Sequence, residues 1–249
     1  MTMNFEDILF PSCAVFLDFD GTLVDIAPQP EAVIVPPALS ATLAQLHGWL
    51  GGALALISGR PIAQIDAFLK PLVLPAAGVH GAERRGADGR LSLLSTHPLE
   101  VVEAAAAALV KGDPRLRLET KRGSVALHYR QAPEREAECI AAMQAAVEES
   151  PGLTLLRGKM VVEAKPGGAS KGAAIEAFMA EAPFAGRTPV FVGDDITDEV
   201  GFATVQRLKG LGVKVGEGAT VAWQRIESPQ VFRQQLQLAV AHKAGKVHA

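Results

Sequence analysis

The chain has 249 residues, 49% of them hydrophobic and 20% charged, and its formal net charge is −3. This composition is typical of a globular protein with one large domain or two smaller ones, and it excludes a general electrostatic attraction to nucleic acid or anionic membranes. No apolar run approaches the ~18 residues of a membrane span. The N-terminal stretch carries Glu6 and Asp7 where a signal peptide carries basic residues. We therefore expect a cytoplasmic protein without nucleic-acid or membrane partners.

Two parts of the chain predict strands and helices in alternation. Apolar runs predict buried strands at residues 14–20, 52–60, 72–81, 189–195 and 212–216. Apolar residues at helical spacing predict helices at 36–50, 61–69, 170–181, 196–206 and 228–245. This order favours a parallel sheet with helices on both faces.

The middle of the chain has a different pattern of polar and apolar residues. It predicts helices at 100–110 and 133–150, strands with alternating polar and apolar residues at 115–119 and 124–130, and a hairpin at 154–166 with Gly158 near its turn. Such alternation is typical of an antiparallel sheet with one face covered by helices. We therefore predict a core domain formed by residues 1–83 and 166–249, with an α+β domain inserted at residues 84–165.

Carboxylates follow two of the predicted core strands. "VFLDFDGT" delivers Asp18 and Asp20, and "VFVGDD" delivers Asp194 and Asp195. Ligands of open parallel sheets bind beyond the carboxyl ends of the strands, so Asp18, Asp20 and Asp194 converge if the two strands are neighbours. Clustered carboxylates suit Mg²⁺. A lone Asp-x-Asp-Gly would favour a turn, and it is the second carboxylate-bearing strand that favours a metal site.

Two further residues indicate a phosphate. Ser58 follows a strand and precedes a helix, where its hydroxyl and nearby amides can donate to an anion. Lys171 lies in the first turn of a helix capped by Ser170, where the helix dipole disfavours a cation unless an anion is near. The alternatives are that Ser58 merely caps its helix and that Lys171 points into water.

In this order, "DFDGT", Ser58, Lys171 and "GDDITDE" resemble phosphatases of the haloacid dehalogenase superfamily. The further motifs "LISGR", "GVHGAE", "ALHYR" and "VVEAKP" are similar to those of the trehalose-6-phosphate phosphatase family. The resemblance implies a Rossmann-like core with a smaller inserted α+β cap that acts as a lid. It also implies an enzyme that hydrolyses trehalose 6-phosphate to trehalose and phosphate, the last step of trehalose biosynthesis.

The resemblance assigns the catalytic roles. Asp18 is the expected nucleophile, which forms an aspartyl-phosphate, and Asp20 is the expected general acid and base. Ser58 and Lys171 are expected to balance charge on the phosphoryl oxygens.

The expected cofactor is Mg²⁺. Its implied ligands are Asp18, the backbone carbonyl of Asp20, and Asp194. Asp195 is a further candidate metal residue, as is Asp198, which would equally serve as an acid at a helix N-terminus.

Substrate selection is expected in the insertion. By the resemblance, the sugar contacts are Glu119, Lys121 and Glu163, with Arg130, His128 and Arg122 as further polar candidates. His80 and Glu83 would reach the substrate from the hinge. Each could instead be an ordinary solvated strand residue, and Arg130 and His128 fit a structural hydrogen bond at least as well.

Three rival interpretations stay open at this point. The first is a phosphatase of the same superfamily that acts on sucrose phosphate or mannosylglycerate phosphate. The second is a silent module that regulates a trehalose-phosphate synthase, and the third is a phosphoacceptor signalling domain. An intact catalytic set and a large insertion disfavour the last two. For the enzyme we expect a monomer or weak oligomer, functionally coupled to a trehalose-phosphate synthase.

Overall fold

A computed structural model describes residues 4–27, 29–93, 98–121 and 123–245. The chain forms two compact units, one of Met1–Ser92 with Ser170–Ala249 and the other of Leu93–Ala169. Among the described residues, every helix is too short or too polar to cross a lipid bilayer.

The described residues contribute twelve strands to two sheets. They are β1 (Cys13–Leu17), β2 (Leu54–Ile57), β3 (Ala76–Gly78), β4 (Glu83–Arg85), β5 (Leu91–Leu93), β6 (Arg117–Lys121), β7 (Ser124–His128), β8 (Leu153–Gly158), β9 (Val161–Pro166), β10 (Thr188–Gly193), β11 (Leu211–Val215) and β12 (Gln224–Ile226). The α-helices are α1 (Leu39–Trp49), α2 (Ile62–Leu69), α3 (Glu100–Gly112), α4 (Glu136–Glu148), α5 (Lys171–Met179), α6 (Glu199–Arg207) and α7 (Pro229–Gly245).

The larger unit is built on an eight-stranded sheet in the order β12-β11-β10-β1-β2-β3-β4-β5. The pairs from β12 through β3 are parallel, and β4 pairs antiparallel with β3. Every residue of β1 and β2 is buried. Since successive strand side chains point to opposite faces, both faces of the sheet are covered, as the continuous apolar runs predicted.

The smaller unit has an antiparallel sheet in the order β6-β7-β9-β8. One face carries Val125, Leu127, Val162 and Ala164, which pack into a core with residues of α3 and α4 such as Met143. The other face therefore carries the polar residues of the alternating strands.

The large sheet extends further than the sequence predicted. The insertion was expected to begin at residue 84, but β4 and β5 continue the large sheet, and the smaller unit begins at Leu93. Because β4 and β5 are short and carry charged or exposed residues, they have no apolar run to reveal them. The short strand β12 was also missed.

Candidate active site

The carboxyl ends of β1 and β10 meet at one edge of the large sheet, because these strands are parallel neighbours. Asp18 follows β1 and Asp194 follows β10, so the convergence predicted for these two residues is observed. The carboxylate oxygens of Asp18, Asp194 and Asp198 lie within 4.8 Å of one another. These three residues are here called the acidic cluster.

Lys171 joins two members of the acidic cluster. Its Nζ lies 2.8 Å from Asp18 Oδ1 and 2.7 Å from Asp198 Oδ1. Ser170 caps α5, accepting a hydrogen bond from the backbone N–H of Ala173, and thereby fixes the helix turn that carries the lysine. Only 3% of Lys171 is exposed, which rules out the alternative that it points into water.

Asp198 is both a cluster member and a helix-terminal acid. Its Oδ2 accepts hydrogen bonds from the backbone N–H groups of Asp194 and Asp195, at 2.9 and 2.8 Å. The carboxylate of Asp195 instead accepts from the N–H of Ile196 and caps the short 3-10 helix that follows β10. Thus the fully buried Asp198, rather than Asp195, supplies the third carboxylate of the cluster.

Gly21 allows the two aspartate-bearing segments to approach each other. Its φ is +77°, and a Cβ there would lie 2.1 Å from Asp194 Oδ2. Any side chain at this position would push Asp194 away from the acidic cluster. The glycine of the "DFDGT" motif therefore serves the site as well as the turn.

The crowding of the acidic cluster disfavours its ionised state. Burial raises the pKa of Asp18 well above its usual range, and although Lys171 opposes this, Asp198 and Asp194 raise it further. Burial and the charge of Asp198 raise the pKa of Asp194 to about 6. Burial lowers the pKa of Lys171, but Asp18 and Asp198 overcome this and hold it above the range usual for lysine. A further cation would restore the carboxylates to their charged form.

The donor set fits a divalent cation. Carboxylate oxygens are the ligands that hard cations such as Mg²⁺ prefer, and three of them gather here. Oδ1 of Asp194 is buried and accepts no hydrogen bond from any described group, so its lone pairs can bind a cation.

The predicted acid and base, Asp20, does not direct its carboxylate into the acidic cluster. It pairs with Arg60, whose Nε and Nη2 lie 2.5 and 2.7 Å from the two carboxylate oxygens. Ser58 is 1% exposed, and its Oγ accepts a hydrogen bond from the backbone N–H of Arg60 at 3.1 Å. Ser58 does not cap α2, because Pro61 occupies the cap position.

The two predicted hinge residues have local partners in the larger unit. The ring of His80 packs on Gly59, where an added Cβ would lie 2.7 Å from the ring. Glu83 is buried and accepts a hydrogen bond from the first N–H of α2, that of Ile62, at 2.5 Å. Glu83 therefore satisfies a helix N-terminus, a structural role that the sequence did not predict.

Four of the predicted sugar-site candidates, together with Ser124, lie on the polar face of the smaller sheet. Glu163 accepts a hydrogen bond from Ser124 Oγ at 2.6 Å and pairs with Lys121 Nζ at 3.3 Å. Glu119 lies 2.8 Å from Nε2 of His128, a contact that lowers the pKa of Glu119. These residues, Glu119, Lys121, Ser124, His128 and Glu163, are here called the polar face.

Arg130 is separated from this group. It is exposed, follows the end of β7, and its Nη2 lies 3.4 Å from the carbonyl of Lys159. Arg122 lies outside the described residues. The structure thus brings Glu119, Lys121 and Glu163 together and leaves Arg130 apart.

Comparison with known proteins agrees with this geometry. The model of the trehalose-phosphatase family matches residues 16–230. The trehalose-6-phosphate phosphatase of Escherichia coli (strain K12) is 48% identical over 227 residues, which cover 88% of this chain and 84% of that protein. This chain belongs to the trehalose-phosphatase family. A probable trehalose-phosphate phosphatase of Sinorhizobium fredii is 45% identical, with coverage of 82% of this chain and 77% of its own.

The fold agrees with that of a solved relative. The C-terminal domain of the C. albicans trehalose-6-phosphate phosphatase superposes with a TM-score of 0.82 at 20% identity and covers 92% of each chain. The predicted fold class, an α/β core built on a mostly parallel sheet with a second, smaller α+β unit, is thereby confirmed for this member of the trehalose-phosphatase family.

Sequence reasoning missed two cations in this trehalose-phosphatase family member. Arg60 was noted within "LISGR" without a role, yet it binds Asp20. Lys214, on the apolar strand β11, is 5% exposed, and its ammonium group donates to the backbone carbonyl of Asp194. A lysine inside an otherwise apolar strand is the signal that could have identified it, since an unpaired charge is costly there.

Proposed function

We propose that the chain is a Mg²⁺-dependent phosphatase that hydrolyses trehalose 6-phosphate to trehalose and inorganic phosphate. The observation that carries this proposal is the acidic cluster bound to Lys171 at the end of β1 and β10. It offers a carboxylate nucleophile, a cation for phosphoryl oxygens and ligands for a metal at one point. Family membership supplies the substrate class.

The first step transfers the phosphoryl group to the enzyme. A carboxylate oxygen of Asp18 forms a bond to phosphorus while the bond between phosphorus and the sugar O6 breaks. Asp20 gives its proton to the departing O6, and trehalose leaves as an alcohol. Lys171 and the Ser58 hydroxyl bind the equatorial phosphoryl oxygens, where charge is spread in the transition state.

The second step releases phosphate. Asp20, now ionised, takes a proton from a water molecule whose oxygen attacks phosphorus. The bond from phosphorus to Asp18 breaks, and the Asp18 carboxylate is regenerated. Asp20 ends the cycle protonated, as it began.

Asp18, Asp194 and the backbone carbonyl of Asp20 are the proposed ligands of Mg²⁺. The ion would supply positive charge that keeps Asp18 ionised and neutralises phosphoryl oxygens. Asp198 keeps Lys171 and the backbone of Asp194 in place, which we propose as its role in the site.

We assign sugar recognition to the polar face of the smaller unit. Glu119 and Glu163 can accept hydrogen bonds from sugar hydroxyls, and Lys121 can donate them. Glu119 is oriented by its contact with His128, and Glu163 by Lys121 and Ser124. Groups held in place by such contacts lose less entropy on binding a sugar. The cap function of the smaller unit, a cytoplasmic location and coupling to a trehalose-phosphate synthase remain predictions.

The decisive experiment measures phosphate release from trehalose 6-phosphate with Mg²⁺ and with EDTA. Sucrose 6-phosphate and glucose 6-phosphate serve as competing substrates. We expect hydrolysis that requires the metal and prefers the trehalose ester. Hydrolysis without preference would refute the substrate, and no hydrolysis of any ester would refute the enzyme and favour a silent binding module.

A further inference from the structure

The two hydrogen bonds that Arg60 donates to Asp20 have no role in the reaction as described so far. Arg60 Nε lies 2.5 Å from Asp20 Oδ2, and Nη2 lies 2.7 Å from Oδ1. Two parallel N–H···O bonds fix both the position and the rotation of a carboxylate, which a single bond cannot do. The pair therefore controls the direction in which the Asp20 oxygens point.

The guanidinium group of Arg60 is itself well anchored. Its central carbon lies 5.1 Å from the ring centroid of Phe68 and 6.0 Å from that of Phe19. Nη1 donates to Gln64 Oε1 at 3.0 Å. Aromatic packing and the further hydrogen bond to Gln64 restrict the rotamers of the arginine, so Asp20 is bound to a fixed partner.

The backbone that carries Arg60 is held from the neighbouring turn. The N–H of His80 donates to the carbonyl of Ser58 at 3.0 Å, and the N–H of Val79 donates to the carbonyl of Arg60 at 3.1 Å. Val79 and His80 adopt φ values of 48° and 51°, a left-handed conformation that is rare for a β-branched residue such as valine. Such conformations persist only where the surroundings impose them and are enriched at functional sites.

The two side chains of this pair differ in exposure to solvent. Arg60 is 9% exposed, whereas Asp20 is 34% exposed. A carboxylate offers about four acceptor positions, and the arginine uses two of them. The remaining positions of Asp20 are therefore available for a proton and a substrate oxygen while Arg60 supports the carboxylate from the buried side.

We propose that Arg60 is a positioning residue that holds the Asp20 carboxyl in the orientation required for proton transfer to the leaving oxygen. The proposal rests on the proposed function, in which Asp20 is the general acid. Arg60 keeps its own protons throughout, and the proton that moves passes between Asp20 and the sugar oxygen or water.

Leaving-group dependence tests this role. The sugar oxygen must be protonated as it departs from phosphorus, because an alkoxide is a strong base. The leaving group of 4-nitrophenyl phosphate is 4-nitrophenoxide, a weak base that departs without a proton. In Arg60→Gln, kcat/KM for trehalose 6-phosphate should fall about 10- to 100-fold. The loss on 4-nitrophenyl phosphate should be at least about tenfold smaller, because kcat/KM reports the first phosphoryl transfer. Arg60→Lys, which keeps the charge without the fork, should recover part of the loss.

The chain offers a matched control in Arg85. This residue binds Asp66 through two bonds of 2.7 Å, and its side chain is 14% exposed, which resembles the Arg60 pair. Arg85→Gln should change thermal stability without favouring either ester. The control separates the loss of a buried ion pair from the loss of positioning.

A double variant tests whether Arg60 acts through Asp20. Asp20→Asn with Arg60→Gln should lose no more activity on trehalose 6-phosphate than Asp20→Asn alone. Additive losses, equal losses of Arg60→Gln on both esters, or no loss on either would overturn the proposal while leaving the phosphatase function intact. A wild-type protein that cleaves neither ester would overturn the proposed function, and the role of Arg60 with it.

Discussion

The two units of this protein gather charged side chains in opposite ways. In the larger unit, Asp18, Asp194 and Asp198 crowd around Lys171, and the pKa of Asp194 is raised to about 6. On the polar face of the smaller unit, Glu163 pairs with Lys121, and Glu119 lies 2.8 Å from Nε2 of His128. The first arrangement places three carboxylates around one ammonium group, whereas in the second each carboxylate has a side-chain partner of its own.

This difference indicates two kinds of ligand. A cluster with excess carboxylates is stabilised by a divalent cation and, through that cation, by a phosphate. A balanced set of donors and acceptors gains nothing from an ion and instead suits neutral hydroxyl groups, which can both donate and accept. A phosphorylated sugar contains both kinds of group, which agrees with the proposed substrate of this trehalose-phosphatase family member.

The largest effect is expected from removing the nucleophile. Asp18→Asn should reduce phosphate release from trehalose 6-phosphate at least about a thousandfold, because an amide oxygen does not form a stable bond to phosphorus. The fold should persist, since the substitution preserves volume and lessens crowding. Phosphate release and circular dichroism measure the two outcomes. Mg²⁺-dependent hydrolysis within tenfold of the wild type would remove Asp18 from its assigned role.

The polar face should act on substrate selection. Glu163→Gln replaces a charged acceptor by a neutral amide, so kcat/KM for trehalose 6-phosphate should fall about 10- to 100-fold. On 4-nitrophenyl phosphate, which has no sugar, the loss should stay below about threefold. Steady-state kinetics on both esters measure this. Equal losses on the two esters would show that Glu163 does not contact the sugar and that the polar face does not select the substrate.

The charge excess of the acidic cluster predicts a pH dependence of stability without metal. The pKa of Asp194 is about 6 in the folded protein and lower in the unfolded chain, so the unfolded state binds fewer protons between about pH 4 and 6. In EDTA the wild type should therefore lose stability as the pH rises through this interval. Asp194→Asn lacks this titration, and its free energy of unfolding should gain up to about 3 kcal/mol relative to wild type.

Excess Mg²⁺ provides the control for that experiment. The ion should stabilise the wild type by about 2.7 kcal/mol at a hundred times its dissociation constant, and Asp194→Asn much less. Thermal unfolding at several pH values, with EDTA or Mg²⁺, gives all four curves. If the stability of the two proteins in EDTA changed with pH in the same way, the carboxylates around Asp194 would not raise its pKa as described.

The smallest effect is expected from an ion pair outside both clusters. Glu138 on α4 pairs with Arg135 at 2.6 Å, but 54% of its side chain is exposed. Glu138→Gln should leave the free energy of unfolding, kcat and KM nearly unchanged, because an exposed ion pair contributes little. Urea unfolding measures this, and a loss comparable to that of Glu163→Gln on the sugar ester would show that charge removal in the smaller unit acts non-specifically.

Most of the fold could be predicted from local pattern. The strands β1, β2, β10 and β11 are short apolar runs, and the helices α1 to α7 follow apolar spacing. The elements that were missed, β4, β5 and β12, are three residues long, and their pairing with a neighbouring strand is what defines them. A three-residue segment carries no periodicity, so its structure depends on contacts distant in sequence.

The sequence by itself determined the types of side chain and the strand ends that carry them. It predicted that Asp18 and Asp194 would meet if their strands were neighbours, because ligands bind beyond the carboxyl ends of parallel strands. It also predicted, from the Ser170 cap, that Lys171 would lie in a first helix turn near an anion. Only the tertiary structure decided the partners. Asp198 rather than Asp195 joins the acidic cluster, Arg60 binds the Asp20 carboxylate, and Lys214 donates to the backbone carbonyl of Asp194. Those choices depend on which side chains the packed sheet brings within hydrogen-bond distance, and spacing along the chain does not encode that distance.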